Sequence, residues 1–220
     1  MDKSASNEVN DYTRPDFGSV ALITIDTQCD VLDGQPLEIP GTSAVLPQMN
    51  HLLEVFRRTQ KPIIHIVRIY KRDGTNVDLC RRAVVESGRS IVLEDSAGCQ
   101  LAPELLPHAT VRFDAKLLLA GGIQSLSPHE VIIYKSRWGA FYRTPLETHL
   151  HSLGISTLVF TGCNFPNCPR TSIYEASERD FRIVLVTDAM SGLYERGLAE
   201  MRNIGIELLT SAELMMQVTG

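Results

Sequence analysis

Short β-branched runs recur along this chain, separated by longer segments with helical apolar spacing, and that alternation limits the folds open to it. The runs are Val20–Ile25, Pro62–Val67, Val131–Tyr134, Thr157–Thr161, Ile183–Thr187 and Ile204–Leu208. Between the first two, Leu46, Met49, Leu52, Leu53 and Phe56 share one face of a helix expected over residues 43–58. Residues 145–153, 168–180 and 193–202 have similar spacing, and a further helix is expected over Val77–Ser87. Near-continuous Val/Ile strands alternating with helices imply a mainly parallel sheet covered on both faces. The fold class is therefore α/β, a three-layer α/β/α sandwich of Rossmann-like type. One domain is expected over residues 18–220, preceded by a flexible segment at 1–17. The irregular stretch 69–129 is too long for a simple crossover and reads as a lid or a wall of a binding site.

Composition narrows the function classes. The chain has 220 residues, 44% hydrophobic and 21% charged, with a net charge of −5. That balance suits a globular domain with a sizeable core. No Lys/Arg block supplies the basic face of a nucleic-acid binder. The first 18 residues lack the apolar core of a signal peptide, and no apolar run reaches the length of a membrane span. Cys29, Cys80, Cys99, Cys163 and Cys168 are an odd, scattered set without a CxxC pair. Reduced thiols, a cytoplasmic location and no cysteine-held zinc are the expectation. Neither GxGxxG nor GxxxxGK[ST] occurs, so nucleotide binding has no support.

Ligands of parallel α/β sheets sit beyond the carboxyl ends of the strands. Asp26 follows ALITI, Lys135 follows VIIY, and Cys168 follows TLVFTG just before a helical segment. Taken singly, Asp26 reads as a cap, Lys135 as a solvated strand end and Cys168 as a small buried hydrophobe. Together they supply a nucleophile, a base and a cation. A helix N-terminus and a nearby lysine favour the thiolate. Asp26 can take the thiol proton and return it to a leaving group, and turn amides can hold an oxyanion. Trp138, Tyr142 and Phe165 are candidates for an aromatic substrate wall. Arg68, Arg81 and Arg82 could clamp a carboxylate, although Arg81 and Arg82 read more simply as solvated helix positions.

Three motifs in order, ALITIDTQCD, IIYKSRWGAFYRTPLE and VFTGCNFPNCPRTSIYEASERDFRIVLVTDA, resemble those of the isochorismatase-like cysteine hydrolases over residues 18–215. The resemblance implies a six-stranded parallel sheet and a catalytic triad of Asp26, Lys135 and Cys168. It also implies an oxyanion hole from the amides of Asn164 and Cys168, and a cis peptide between Cys163 and Asn164. It further implies a homo-oligomer, dimer or tetramer. In the nicotinamidase branch of that superfamily an Asp-x-His pair and a further His bind a metal after the second strand. Here that region reads HIVRIYKRDGTNVDLCRR, with His65 inside the strand, so a site without metal or other cofactor is expected. The expected activity is hydrolysis of a small amide through a thioester on Cys168. The alternatives are a binding or regulatory protein that retains the fold, and a thiol redox protein using Cys163 and Cys168.

Overall fold

The computed structural model describes residues 12–220. Of the flexible segment expected at 1–17, residues 1–11 lie outside the described residues. The rest is anchored: the Asp16 amide donates to Thr157 Oγ1 at 2.9 Å, and Lys61 Nζ donates to the Phe17 carbonyl at 2.8 Å.

Seven strands form one sheet in the order β3-β4-β2-β1-β5-β6-β7. They are β1 (Val20–Ile25), β2 (Ile63–Val67), β3 (Ile123–Ser127), β4 (Glu130–Tyr134), β5 (Thr157–Gly162), β6 (Arg182–Met190) and β7 (Glu207–Leu209). Six of them run parallel, matching the six strands implied by the resemblance. The correction is the seventh: β3 pairs antiparallel with β4 at the sheet edge. Its sequence, IQSLS, is half-exposed and lacks the Val/Ile density of a strand buried on both faces. The last strand is also displaced from its expected place, because Ile204 ends the preceding helix and Gly205 follows with φ 81°. A left-handed glycine just past a helix end is a common stop.

Strand periodicity sorts the core into two layers. Ala21, Ile23 and Ile25 face a layer that includes α4 (Leu146–Ser152), α5 (Cys168–Ser177) and α6 (Glu195–Asn203). Val20 and Leu22 face α1 (Thr42–Arg58) and α7 (Ser211–Thr219). Helix α7 opens on a capping box, in which the Thr210 side chain accepts from the Glu213 amide while the Glu213 carboxylate accepts from the Thr210 amide.

The chain steps outward from β1 through β2 to β4 on one side, then from β5 through β6 to β7 on the other. Strands β1 and β5 thus flank the point where the winding reverses, where doubly wound sheets open a ligand crevice. The long stretch after β2 contains α2 (Leu79–Glu86) and α3 (Ala115–Leu119). It builds a third apolar cluster, with Ile69, Tyr70, Val77, Ile91, Val92 and Leu101 packed onto Val67 and Ile132. This packing stands the stretch up as one side of the crevice.

Candidate active site

Asp26 is the first residue after β1, and its φ of 50° lies in the left-handed region. Aspartate tolerates that conformation better than most residues, and such outliers concentrate at functional sites. The neighbouring strand makes room for it. Gly162 ends β5 with φ 115°, and a Cβ there would lie 2.3 Å from the Ile25 carbonyl oxygen. Only glycine lets β5 approach β1 this closely while the chain turns towards Cys168.

Gln28 ties the ends of β1 and β2 together. Its side-chain amide donates to the Arg68 carbonyl at 2.7 Å and its oxygen accepts from the Arg68 amide at 2.8 Å. Asp30 reaches the crevice wall, where its Oδ2 accepts from the Val92 amide at 2.6 Å. That bond helps hold Val92 at φ 41°, an unfavourable value for a β-branched residue. The Asp-x-Gln-x-Asp stretch therefore places one reactive carboxylate and fastens the strand ends and the wall around it.

Lys135 follows β4 and is fully buried. Its Nζ donates to Asp26 Oδ2 at 2.7 Å, while Asp26 Oδ1 has no partner among the described residues. Cys168 is the first residue of α5 and its thiol lines the same cleft as Asp26. Burial and the adjacent Asp26 charge push this thiol up to about 11, against the pull of Lys135 and Arg68. The helix start and Lys135, expected from the sequence to favour the thiolate, are thus outweighed here by burial and by the Asp26 charge.

Helix α5 is fastened at both sides of Cys168. The Phe165 amide donates to the Ser191 carbonyl at 2.9 Å, pinning the turn to the end of β6. Ser172 Oγ accepts from the Ala140 amide and donates to the Cys168 carbonyl, joining α5 to the segment that follows Lys135. Among the described residues, the amides of Asn164 and Cys168 donate to no carbonyl within this turn. The bond between Cys163 and Asn164 is trans, correcting the cis peptide implied by the resemblance.

Asp26, Cys163, Asn164, Cys168 and Trp138 line one cleft. The other two aromatic candidates lie elsewhere. Phe165 is fully buried in the core, edge-on to Tyr194 with ring centroids 5.7 Å apart. Tyr142 is exposed and stacks with Arg143. Cys163 is also a free thiol, but it is buried and its Sγ donates to the Asp26 carbonyl at 3.2 Å. Burial raises it well above the usual thiol range.

Two residues carry more of the site than their sequence context suggested. Arg68, at the end of β2, brings its guanidinium 3.8 Å from Cys168 Sγ. Asp78 pairs with that guanidinium and accepts from the Tyr70 hydroxyl at 2.7 Å. Arg68 had a signal in its strand-end position. Asp78 had only its place before a helix, which reads as an ordinary cap. His65 is occupied within the sheet, with Nδ1 2.8 Å from Thr24 Oγ1 and Nε2 2.9 Å from Glu130 Oε1.

Comparison with known proteins agrees with this architecture. The isochorismatase domain model matches residues 20–213. The chain is 26% identical over 202 residues to a protein of Arabidopsis thaliana described as a probable inactive nicotinamidase, covering 89% of this chain and 94% of that one. It is 28% identical over 209 residues to maleamate amidohydrolase of Pseudomonas putida, covering 90% and 86% respectively. A solved isochorismatase family protein from Desulfovibrio vulgaris superposes with a TM-score of 0.77 at 27% identity, over 92% of this chain and 99% of that one. The chain belongs to the isochorismatase family.

Proposed function

We propose that this protein is a cysteine amidohydrolase that cleaves the C–N bond of a small amide through a thioester on Cys168. One observation carries the reading: Asp26, which accepts from Lys135 Nζ at 2.7 Å, lines the same cleft as Cys168. A thiol pushed up to about 11 is a poor nucleophile until a base removes its proton, and Asp26, whose Oδ1 has no partner among the described residues, is the carboxylate whose charge acts on it.

As Sγ bonds to the carbonyl carbon, its proton passes to Asp26 and the carbonyl π pair moves onto oxygen. The amides of Asn164 and Cys168 receive that oxyanion, and losing one such donor typically costs about 2.7–4 kcal/mol of barrier. Collapse restores the carbonyl and breaks the C–N bond, and the leaving nitrogen takes the proton from Asp26. A water then gives a proton to Asp26 as it adds to the thioester. The C–S bond breaks and the thiolate recovers its proton. Lys135 stays charged throughout and compensates Asp26 whenever that carboxylate is ionised. Arg68 places positive charge beside sulfur while it carries negative charge.

Maleamate amidohydrolase is named for cleaving an amide, whereas the Arabidopsis relative is named as inactive, so turnover itself is the test. Wild-type protein and Cys168→Ala are incubated with small amides, ureas and imides, with ammonia measured and intact mass recorded. Ammonia release with a transient acyl adduct on Cys168, absent from the variant, is the expected result. An inert Cys168 with no turnover across the panel would refute hydrolysis and favour a binding protein that keeps the fold.

A further inference from the structure

Asp78 breaks two local rules at once. It stands at the N-cap of α2, yet its side chain makes no cap bond there. It is also only 4% exposed, while the next residue, Leu79, is 82% exposed. A carboxylate is buried and a leucine is left in water, the reverse of the usual preference. The carboxylate has turned into the cleft, where it pairs with Arg68, accepts from the Tyr70 hydroxyl at 2.7 Å and lies 3.9 Å from Arg137. Departures from local preference concentrate at functional positions.

The ends of β1 and β2 supply a reason for this one. Ile25 and Ile66 are register partners, and the Asp26 amide donates to the Ile66 carbonyl at 2.9 Å. Asp26 and Arg68 therefore leave neighbouring strands close together. Asp26 Oδ1 has no partner among the described residues, and Arg68 is buried. A buried guanidinium near an open carboxylate oxygen would ordinarily form a two-pronged ion pair with it. That pair would hold Asp26 ionised and make it a weak base. Arg68 is drawn elsewhere instead. Asp78 takes its charge, and the carbonyls of Ser136 and Arg137 accept from it at 3.2 and 2.9 Å. Its Nη2 is left 3.8 Å from Cys168 Sγ.

We propose that Asp78 is a positioning residue that holds Arg68 beside the Cys168 sulfur and off Asp26, keeping one oxygen of Asp26 open to the thiol proton. The inference rests on the amidohydrolase reading for the use made of that oxygen. Asp78 acts through Arg68 and takes no part in bond breaking.

Asp26, Lys135, Arg68 and the Cys163 thiol act on this sulfur, and Arg81 lines the same cleft from α2, so alkylation of Cys168 reports how those groups are arranged. Iodoacetamide labelling of Cys168 is followed by mass spectrometry across a pH series, with glutathione as reference. Asp78→Asn keeps an acceptor oxygen for Arg68 and removes the charge that balances it. The released positive charge acts on sulfur and on Asp26, and labelling is expected to be about threefold or more faster. Arg68→Gln is expected to slow labelling about tenfold, and adding Asp78→Asn to it should change little. Ammonia release by Asp78→Asn should fall about tenfold or more in kcat, with KM nearly unchanged. Circular dichroism checks folding, and Arg68→Gln tests the placement even if Asp78→Asn fails to fold. Unchanged labelling of either single variant, an equal acceleration in both backgrounds, or undiminished ammonia release by Asp78→Asn would overturn the proposal. Both labelling shifts without any ammonia from wild type would keep the placement of Arg68 and refute hydrolysis.

Discussion

Replacing Asp26 with Asn drives two readouts in opposite directions. In the wild type the thiol sits at about 11 against an ordinary value of 9.0, which leaves about a hundredfold less thiolate at pH 8. Burial and the Asp26 charge both contribute to that rise. Two unit charges 4 Å apart interact by about 4 kcal/mol at an effective dielectric of 20. Removing even a third of that, about 1.4 kcal/mol, makes the thiolate about tenfold more abundant. Lys135 and Arg68 remain, and both favour the ionised sulfur. Asp26→Asn is therefore expected to alkylate about tenfold faster with iodoacetamide at pH 8. The same variant loses the proposed general base, for which an effect of about 10²–10⁴ on amide turnover is expected. Alkylation of the Cys168 peptide is followed by mass spectrometry from pH 6 to 10, with the exposed Cys80 as internal reference. The wild-type rate should rise tenfold per pH unit to the end of that range. A plateau below pH 8 would mean a preformed thiolate, and slower alkylation of Asp26→Asn would mean that Asp26 does not hold the thiol proton. Either result refutes the reasoning.

Other perturbations test separate parts of the structure. Gly162→Ala would put a methyl group 2.3 Å from a backbone oxygen at φ 115°, and a loss of about 3 kcal/mol or more in urea unfolding is expected. Unchanged stability would mean that β1 and β5 do not meet as described. Glu130, buried between Arg57 and His65, is held down to about 2 from an ordinary 4.5. Its stabilising effect is complete above pH 4.5 and is lost as the pH falls towards 2, a swing of about 3 kcal/mol. Glu130→Gln should flatten the stability profile over that interval, and a variant that loses stability as steeply as wild type would exclude this role. Trp138→Ala should raise KM while Tyr142→Ala should leave it unchanged, since only the first ring lines the cleft. The reverse pattern in steady-state kinetics would mean that substrate lies elsewhere.

Helix α7 and strand β3 went unread in the sequence for different reasons. The Thr210–Glu213 capping box preceded α7 and could have been read, as could Gly205 as the stop before β7. Strand β3 had no comparable mark, because an edge strand of mixed polarity has little periodic signal and is defined by its partner β4. The aromatic candidates divide in the same manner. Phe165 and Trp138 are equally close in sequence to reactive residues, yet one packs into the core and the other faces the cleft. Side-chain direction at a turn depends on what the turn packs against, which no local pattern records.

By itself the sequence determined the alternation of strands and helices, since hydrophobic periodicity is local. It also determined the identity and order of Asp26, Lys135 and Cys168, the first two directly after a strand and the third where the next helix begins. Only the tertiary structure decided how those residues act on one another. The protonation of Cys168 depends on burial and on Asp26, 142 positions away in the chain. The pairing of Arg68 with Asp78 and of Lys135 with Asp26 likewise joins residues on separate elements. Electrostatic energies depend on distance and dielectric environment, and both are created when the sheet brings distant strand ends to one crevice.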